Sequence, residues 1–269
     1  MIIKRTYLGI FTFFLCVICL ITSAQETQKL NGNWRFSLDK ENVGIAQSWY
    51  KKNLDKQIFI PGTTDKGKYG NKTVGSDYGI LTRDYKYVGP AWYQTDIEIP
   101  ADWKTKRVFL KLERVMWQST VFLDDKEIST YDALNSAHIY DLSYVKPGKH
   151  RLTVRVNNAM IYNIGDKGHV YGEYTQSIWN GIVGKVELIA KNPTRLNNPQ
   201  VYTKAFPTQL EIRDTLINED KKKKKLILTY ELADFKTGEN VYTGENKLDL
   251  EGTEQFWNFK AEMPSTIKL

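Results

Sequence analysis

Apolar and polar residues alternate along much of the chain. In Val108–Glu113 the apolar residues occupy positions 108, 110 and 112, and Arg151–Val156 and Gly184–Leu188 show the same period of two. This period is typical of a strand that buries one face in an antiparallel sheet. The other runs that we predict as strands are Trp92–Ile99, Trp117–Leu123, Leu210–Ile212 and Leu226–Leu232.

Turn residues separate these runs. Asp124-Asp125-Lys126 divides two apolar runs as a short hairpin turn does, and Pro147-Gly148-Lys149 precedes the strand that contains Leu152. No segment carries a long, capped, amphipathic pattern, so few helices are expected. Many short strands separated by turns predict an all-β fold of antiparallel sheets, either a sandwich or a barrel.

The chain divides into three parts. Lys4 and Arg5 precede an apolar stretch that closes with Thr22-Ser23-Ala24, which predicts a signal peptide over residues 1–24. A membrane anchor is the alternative, but the apolar run is short for a span of ~20 residues. A polar, proline-containing stretch at Pro193–Pro199 predicts a boundary between domains at 25–192 and 193–269. The second part is shorter than the ~100 residues of a complete immunoglobulin-like sandwich, so we expect that domain to be incomplete.

Composition removes several classes of function. Both cysteines, Cys16 and Cys19, lie in the predicted signal peptide, so a mature chain would have no thiol nucleophile, cysteine-ligated metal or disulfide. The formal net charge is +7, but five of the lysines form one run, Lys221–Lys225, which we interpret as a charged hairpin tip. No basic face with interleaved aromatic residues is evident, so nucleic acid is not an expected partner.

Two long loops offer candidate binding chemistry. They are Pro61–Pro90 and Met160–Trp179, and the second is rich in polar and aromatic side chains. Long loops on a rigid sandwich often bind ligands. Sugars present hydroxyl edges and apolar C–H faces, so a site for them combines planar polar groups with aromatic rings. The second loop and the residues after it supply both.

Five segments in order carry a resemblance to a known family. They are Leu30–Phe36 with Ile60-Pro61-Gly62, Leu81-Thr82-Arg83 leading into Tyr87–Gln94, Leu112–Ser119, Val121–Asp125, and Thr175–Leu188. Together they resemble the N-terminal sugar-binding domain of glycoside hydrolase family 2, and the match covers Leu30 to about Ala190. The resemblance implies a jelly-roll sandwich followed by part of an immunoglobulin-like sandwich.

The resemblance also implies what this chain lacks. Family members carry two catalytic carboxylates on a (β/α)₈ barrel, and no residue of this chain matches either position, so no catalytic residue is assigned. We therefore expect the non-catalytic N-terminal portion of a β-glycosidase, inactive alone. The alternatives are a stand-alone carbohydrate-binding module without hydrolase activity and a structural module that does not contact sugar.

The resemblance assigns sugar contact to loops of the first sandwich. The residues that we predict to contact substrate are His169, Glu173, Thr175, Gln176, Trp179, Asn180 and Arg83. Each has a structural alternative: Trp179 as a core aromatic, His169 as a merely polar loop residue, and Arg83 as an ion-pair partner that holds its loop. Many family members place an acidic residue just before Trp-Asn-Gly, whereas this chain has Thr175, Gln176 and Ser177. The resemblance therefore does not determine which sugar this chain recognises.

The remaining expectations concern cofactors, partners and location. Three scattered histidines and no clustered carboxylates predict neither a metal site nor a cofactor. The expected partner is a β-linked saccharide, with no stable membrane span after signal cleavage and possible homo-oligomers. The predicted signal peptide implies export to the periplasm or the cell exterior.

Overall fold

The computed structural model describes residues 25–165, 171–172, 178–204 and 209–262. Within these ranges the strand pairs are antiparallel, and the only helices are the short 3₁₀ helices Trp49–Lys51 and Ala101–Thr105. Neither is long or apolar enough to cross a bilayer. The prediction of an all-β antiparallel fold is confirmed.

Two sheets form a sandwich in the first part of the chain. The strands of the first sheet are β1 (Gln25–Lys29), β4 (Gly62–Thr63), β8 (Arg107–Val115), β11 (His138–Asp141) and β13 (Gly181–Lys191). Those of the second sheet are β2 (Gly32–Leu38), β3 (Lys56–Ile60), β7 (Pro90–Ile99), β9 (Gln118–Leu123), β10 (Lys126–Tyr131) and β12 (Gly148–Asn157). The spatial orders are β1-β13-β8-β11, with β4 also on β13, and β10-β9-β12-β7-β2-β3. A small ribbon of β5 (Asn71–Lys72) and β6 (Tyr85–Lys86) lies in the first long loop.

The core lies between these two sheets, where the alternating apolar positions meet. Val108, Leu110 and Leu112 of β8 are at most 2% exposed, and the alternate residues of β12 are equally buried. Burying one such side chain stabilises the fold by ~1.5–3 kcal/mol. The predicted hairpin is also confirmed, because Leu123 pairs with Lys126 and leaves Asp124 and Asp125 as a two-residue turn. Asp124 has φ +52°, a left-handed conformation that aspartate tolerates.

Part of the second sheet is buried on both faces, whereas the alternation in its strands predicts burial of one face only. Its outward-facing residues Gln94, Thr153 and Arg155 are also buried, at 0%, 0% and 6% exposure. The segment 39–55 lies over this face: Gln94 donates to the carbonyl of Lys52 at 2.9 Å, and Arg155 donates to Asn42 at 2.8 Å. The covering segment has no regular period, so alternation in the strands gave no sign of it.

A second unit follows in the chain. One sheet contains β14 (Thr194–Leu196), β15 (Gln200–Lys204), β16 (Gln209–Asn218) and β19 (Glu254–Glu262), and a two-stranded sheet contains β17 (Lys224–Ala233) and β18 (Asn240–Leu250). The predicted strands at 210–212 and 226–232 are therefore confirmed. Lys223 and Lys224 of the lysine run pair with Glu251 at 2.9 Å and with Asp220 at 2.6 Å. The domain boundary at 192/193 and the immunoglobulin-like type of the second unit stay predictions.

Ionic contacts join the two units. Glu219, which follows β16, pairs with Arg107 at the start of β8 at 2.6 Å and with Arg195 of β14 at 3.0 Å. The Arg195 guanidinium also lies 5.9 Å from the centre of the Phe109 ring. These groups are only partly buried, so each contact contributes modestly to stability.

Candidate functional site

Several connecting segments meet at one end of the first sandwich. Val115 at the end of β8 pairs with Ile182 at the start of β13, and Gln118 at the start of β9 pairs with Asn157 at the end of β12. Pro90 at the start of β7 also pairs with Asn157. We call this the Trp179 end, because the segment 178–181 lies there. Loops of the sandwich come together at the Trp179 end, where a ligand could contact them.

An aromatic cluster occupies the Trp179 end, separate from the main core. Met116, Trp117 and Tyr171 are buried at its centre, and the Trp117 and Tyr171 ring centres lie 5.1 Å apart. The partly buried apolar residues packed against it are Leu134, Ile161, Ile178 and Trp179. Trp179 is thus a half-buried ring that packs against this cluster. Such a ring can take the apolar C–H face of a sugar.

The Asn180 side chain joins three segments beneath this cluster. It is 1% exposed. Its Oδ1 accepts from the Tyr93 hydroxyl at 2.8 Å, and its Nδ2 donates to the carbonyl of Gly89 at 2.9 Å and to Asn158 Oδ1 at 3.2 Å. An unpaired buried amide would cost ~1–3 kcal/mol, so these contacts hold the side chain in one orientation.

Asn158 makes a second buried junction beside the first. Its Nδ2 donates to the carbonyls of Tyr87 at 2.9 Å and Trp179 at 3.0 Å, while its Oδ1 accepts from the Gly89 amide at 2.8 Å. The Tyr171 hydroxyl donates to the Asn158 carbonyl at 2.9 Å. Two asparagines therefore fix the backbone of the Trp179 segment relative to the start of β7.

Two buried tyrosines keep their protons in this network. Burial raises the pKa of Tyr87 to about 12, and burial raises the pKa of Tyr93 well above its usual range. Both hydroxyls consequently remain donors at neutral pH: Tyr93 donates to Asn180, and Tyr87 donates to the Pro90 carbonyl at 2.6 Å. We call Asn158, Asn180 and these two tyrosines the asparagine frame. The frame carries no charge, and its protonation state is constant across physiological pH.

Gly181 completes the Trp-Asn-Gly motif for a steric reason. Its φ is +157°, and a Cβ there would lie 2.3 Å from the Gly62 carbonyl oxygen and 2.8 Å from Thr63 Cα. Those atoms belong to β4, which pairs with the first residues of β13. Only glycine allows the two backbones to approach so closely.

The predicted contact residues fall into two groups. His169, Glu173, Thr175 and Gln176 lie outside the described residues. Of the others, Trp179 is half-buried at the cluster, and Asn180 is buried with its amide bonded to protein groups. The Arg83 side chain is buried at 6% exposure in the first long loop. Contact of any of these residues with a sugar stays a prediction.

The asparagine frame includes residues that the sequence-based reasoning did not single out. Asn158 lies two residues after Val156, where the alternating run ends, and a polar amide just past a strand end is a recognisable signal. Tyr93 lies within a run already predicted as a strand and offers no such signal. Within the described ranges, no three histidine or acidic side chains form a group that could hold a metal ion.

The antiparallel sandwich, the aromatic cluster and the asparagine frame together define a β-sandwich domain that presents loops at one end. A family model described as "Glycosyl hydrolases family 2, sugar binding domain" matches residues 27–213. The chain belongs to glycoside hydrolase family 2.

Relatives with a similar sequence or fold agree with this assignment. A β-glucuronidase of Formosa agariphila is 26% identical over 194 residues, which are 67% of this chain and 19% of that protein. A family 2 member from Bacteroides cellulosilyticus has a TM-score of 0.66 at 19% identity, covering 88% of this chain and 32% of its own. A β-glucuronidase of family 2 has a TM-score of 0.71 at 18% identity, with 90% and 27% covered. The chain thus spans about a fifth of the curated relative's length, and the part that the family model matches is the sugar-binding domain.

Proposed function

We propose that this sugar-binding portion serves a β-glycosidase acting on β-linked glucuronides, and that the Trp179 segment contacts the sugar. The similarity to a β-glucuronidase supports the substrate class. The proposed sugar contact rests on one observation: the Trp179 ring is half-buried, and the asparagine frame fixes its backbone. A fixed ring loses little freedom on binding, so its contact with a sugar is not offset by an ordering cost.

The acidic groups near the strands have structural roles instead of catalytic ones. Glu113 Oε2 accepts from the Lys185 amide at 2.6 Å where β13 bulges. Asp124 accepts from the Arg151 amide at 2.9 Å and lies 2.9 Å from His150 Nδ1. Retaining glycosidases need two carboxyl groups ~5–5.5 Å apart across a substrate cleft. Glu113 is engaged at a strand bulge and Asp124 in a hairpin turn, which supports a scaffolding role for these two acids.

Export belongs to the same proposal. Its support is the order of charged, apolar and small residues at the N-terminus, from Lys4 to Ala24. The proposal also includes the homo-oligomer that the family resemblance implies, and size-exclusion chromatography with light scattering measures the oligomeric state directly.

Two measurements on the purified chain test the proposal. The chain should not hydrolyse chromogenic β-glucuronide, β-galactoside or β-mannoside substrates. In calorimetry, methyl β-D-glucuronide should bind weakly, and Trp179→Ala should lose ~1 kcal/mol, about fivefold in Kd, because one aromatic contact is removed. Trp257→Ala is the matched control, since Trp257 is also half-buried but lies in the second unit.

Either of two results would contradict this account. One is hydrolysis that co-purifies with the chain through every column. The other is glucuronide binding that Trp179→Ala and Trp257→Ala weaken equally, because the Trp179 segment would then have no special part in contact.

A further inference from the structure

A pocket lies beside the edge of the second sheet and is lined by residues that do not belong to the Trp179 end. Its volume is about 560 Å³, and it opens between the ends of β2 and β3, the 3₁₀ helix at Trp49 and the loop around Tyr69. The lining residues that matter here are Asp39, Lys40, Trp49, Lys56, Lys68 and Tyr69. The pocket is large enough for two or three sugar rings, and nothing in the proposed function employs it.

Two aromatic rings in this pocket are held in place. The Trp49 indole donates to Gln47 at 3.0 Å, and its ring centre lies 6.1 Å from that of Trp92. The Tyr69 hydroxyl donates to the Gln57 carbonyl at 2.8 Å, and its ring centre lies 4.6 Å from that of Phe36. Both residues are half-buried, so each offers a fixed apolar surface to a ligand.

The acid in the pocket is already engaged. Asp39 is 1% exposed, and its carboxylate accepts from the amides of Val43 at 2.8 Å and Gly44 at 2.9 Å and from the Trp92 indole at 3.0 Å. The Asp39 carboxylate is therefore occupied by local donors, and its hydrogen bonds to Val43 and Gly44 hold the segment that covers the second sheet. Glu41 is the other acid at the pocket.

Three lysines converge on the pocket without ionic partners. Lys40, Lys56 and Lys68 are exposed, and none of their ammonium groups forms an ion pair with another described residue. Lys56 Nζ lies over the Tyr69 ring, 5.9 Å from its centre, in a cation–π contact. Three lysines against Asp39 and Glu41 leave the pocket with a positive balance, and a positive concave site favours an anionic ligand.

Lys68 occupies a conformation that suits another residue better. Its φ is +62°, in the left-handed region where glycine or asparagine is favoured. Lys68 lies in a turn, where its backbone amide donates to the Asp65 carbonyl at 2.8 Å. The turn places the lysine at the pocket rim.

We infer that this pocket binds an acidic oligosaccharide. Carboxylate or sulfate groups of the ligand pair with Lys40, Lys56 and Lys68, and a sugar ring lies against Trp49 or Tyr69. The lysines act as flexible point charges and tolerate either anion, while the fixed rings require a saccharide. The inference is independent of the glucuronide contact proposed at Trp179.

Calorimetry of the purified chain with three tetrasaccharides and one small inorganic anion tests the inference. They are a tetrameric oligogalacturonate, a heparin-derived tetrasaccharide, neutral cellotetraose and inorganic tripolyphosphate. We expect saturable binding of at least one acidic saccharide, weakening as salt rises, with at least tenfold weaker binding of cellotetraose and tripolyphosphate. The first two probes separate a carboxylated from a sulfated ligand.

One variant separates binding from folding. Lys68→Gly should keep Tm close to that of the parent, since glycine adopts φ +62° freely, yet weaken acidic-saccharide binding at least fivefold. Lys66→Gln is the matched control: Lys66 is an exposed neighbour outside the pocket, and its loss changes the net charge equally. Trp179→Ala should leave this binding unchanged.

Three results would overturn the inference: no binding of either acidic saccharide, equal affinity for tripolyphosphate, or equal losses in Lys68→Gly and Lys66→Gln. The second and third would mean that net charge alone attracts anions. Because Trp179 has no part in the pocket, these results leave the proposed glucuronide contact standing.

Discussion

At the scale of residues, buried amides position the loops at the Trp179 end. Asn158 and Asn180 each join backbone groups from separate segments, and each is at most 1% exposed. An amide suits this task because it donates and accepts at once without carrying charge. The half-buried Trp179 ring adds an apolar surface, which neither asparagine could supply.

A buried histidine gives the first sandwich a pH dependence. His138 is 1% exposed, its Nδ1 lies 2.5 Å from Ser119 Oγ, and its Nε2–H donates to the Ala133 carbonyl at 2.9 Å. The carbonyl can only accept, so the neutral ring accepts from Ser119 at Nδ1. Burial lowers the pKa of His138, and the Ala133 carbonyl and Asp132 oppose that shift in part.

The sign of the effect follows from this lowered pKa. The unfolded chain binds the proton first, near pH 6.5, so the His138 contribution is complete above that pH and declines as the pH falls through it. Urea midpoints should therefore fall from pH 7.5 to pH 5.5 by more in the parent than in His138→Gln, which does not titrate. Equal falls in both proteins would show that His138 does not couple folding to protons.

At the scale of elements, the period of two predicted the strands but not their surroundings. Val108, Leu110 and Leu112 alternate and are buried as expected, because a pleated strand turns every second side chain inward. Thr153 and Arg155 are buried as well, since an irregular segment covers them. Tyr93 meets Asn180 across 87 residues of sequence, and no local pattern encodes that contact. The local sequence pattern is enough to predict where strands lie. The candidate site forms through contacts between distant segments, so no local pattern predicts it.

The junction of β4 and β13 depends on Gly181. Gly181→Ala should lower the free energy of unfolding by ~1–3 kcal/mol, because the new methyl group would overlap backbone atoms of β4. Gly32→Ala is the control, since Gly32 has a similar φ of +147° but open space around its missing Cβ. Urea unfolding compares the two, and equal losses would mean that the backbone angle, not the close approach, requires glycine at 181.

At the scale of the whole molecule, two β units follow one another, and glycoside hydrolase family 2 supplies the context. The family model covers the first sandwich and continues into β16 of the second unit. The Trp179 segment lies at the start of β13, whereas the second unit follows the end of that strand. The first sandwich therefore has the Trp179 segment at the start of β13, while the end of β13 leads to the second unit.

The indole N–H signals of the seven tryptophans give the most direct test of sugar contact at the Trp179 end. Two-dimensional ¹H–¹⁵N spectra, assigned by single Trp→Phe substitutions, would be recorded during a titration with methyl β-D-glucuronide. We predict a saturable shift of the Trp179 indole signal while the Trp257 signal stays fixed. A Trp179 signal that does not move at saturating sugar would contradict the account.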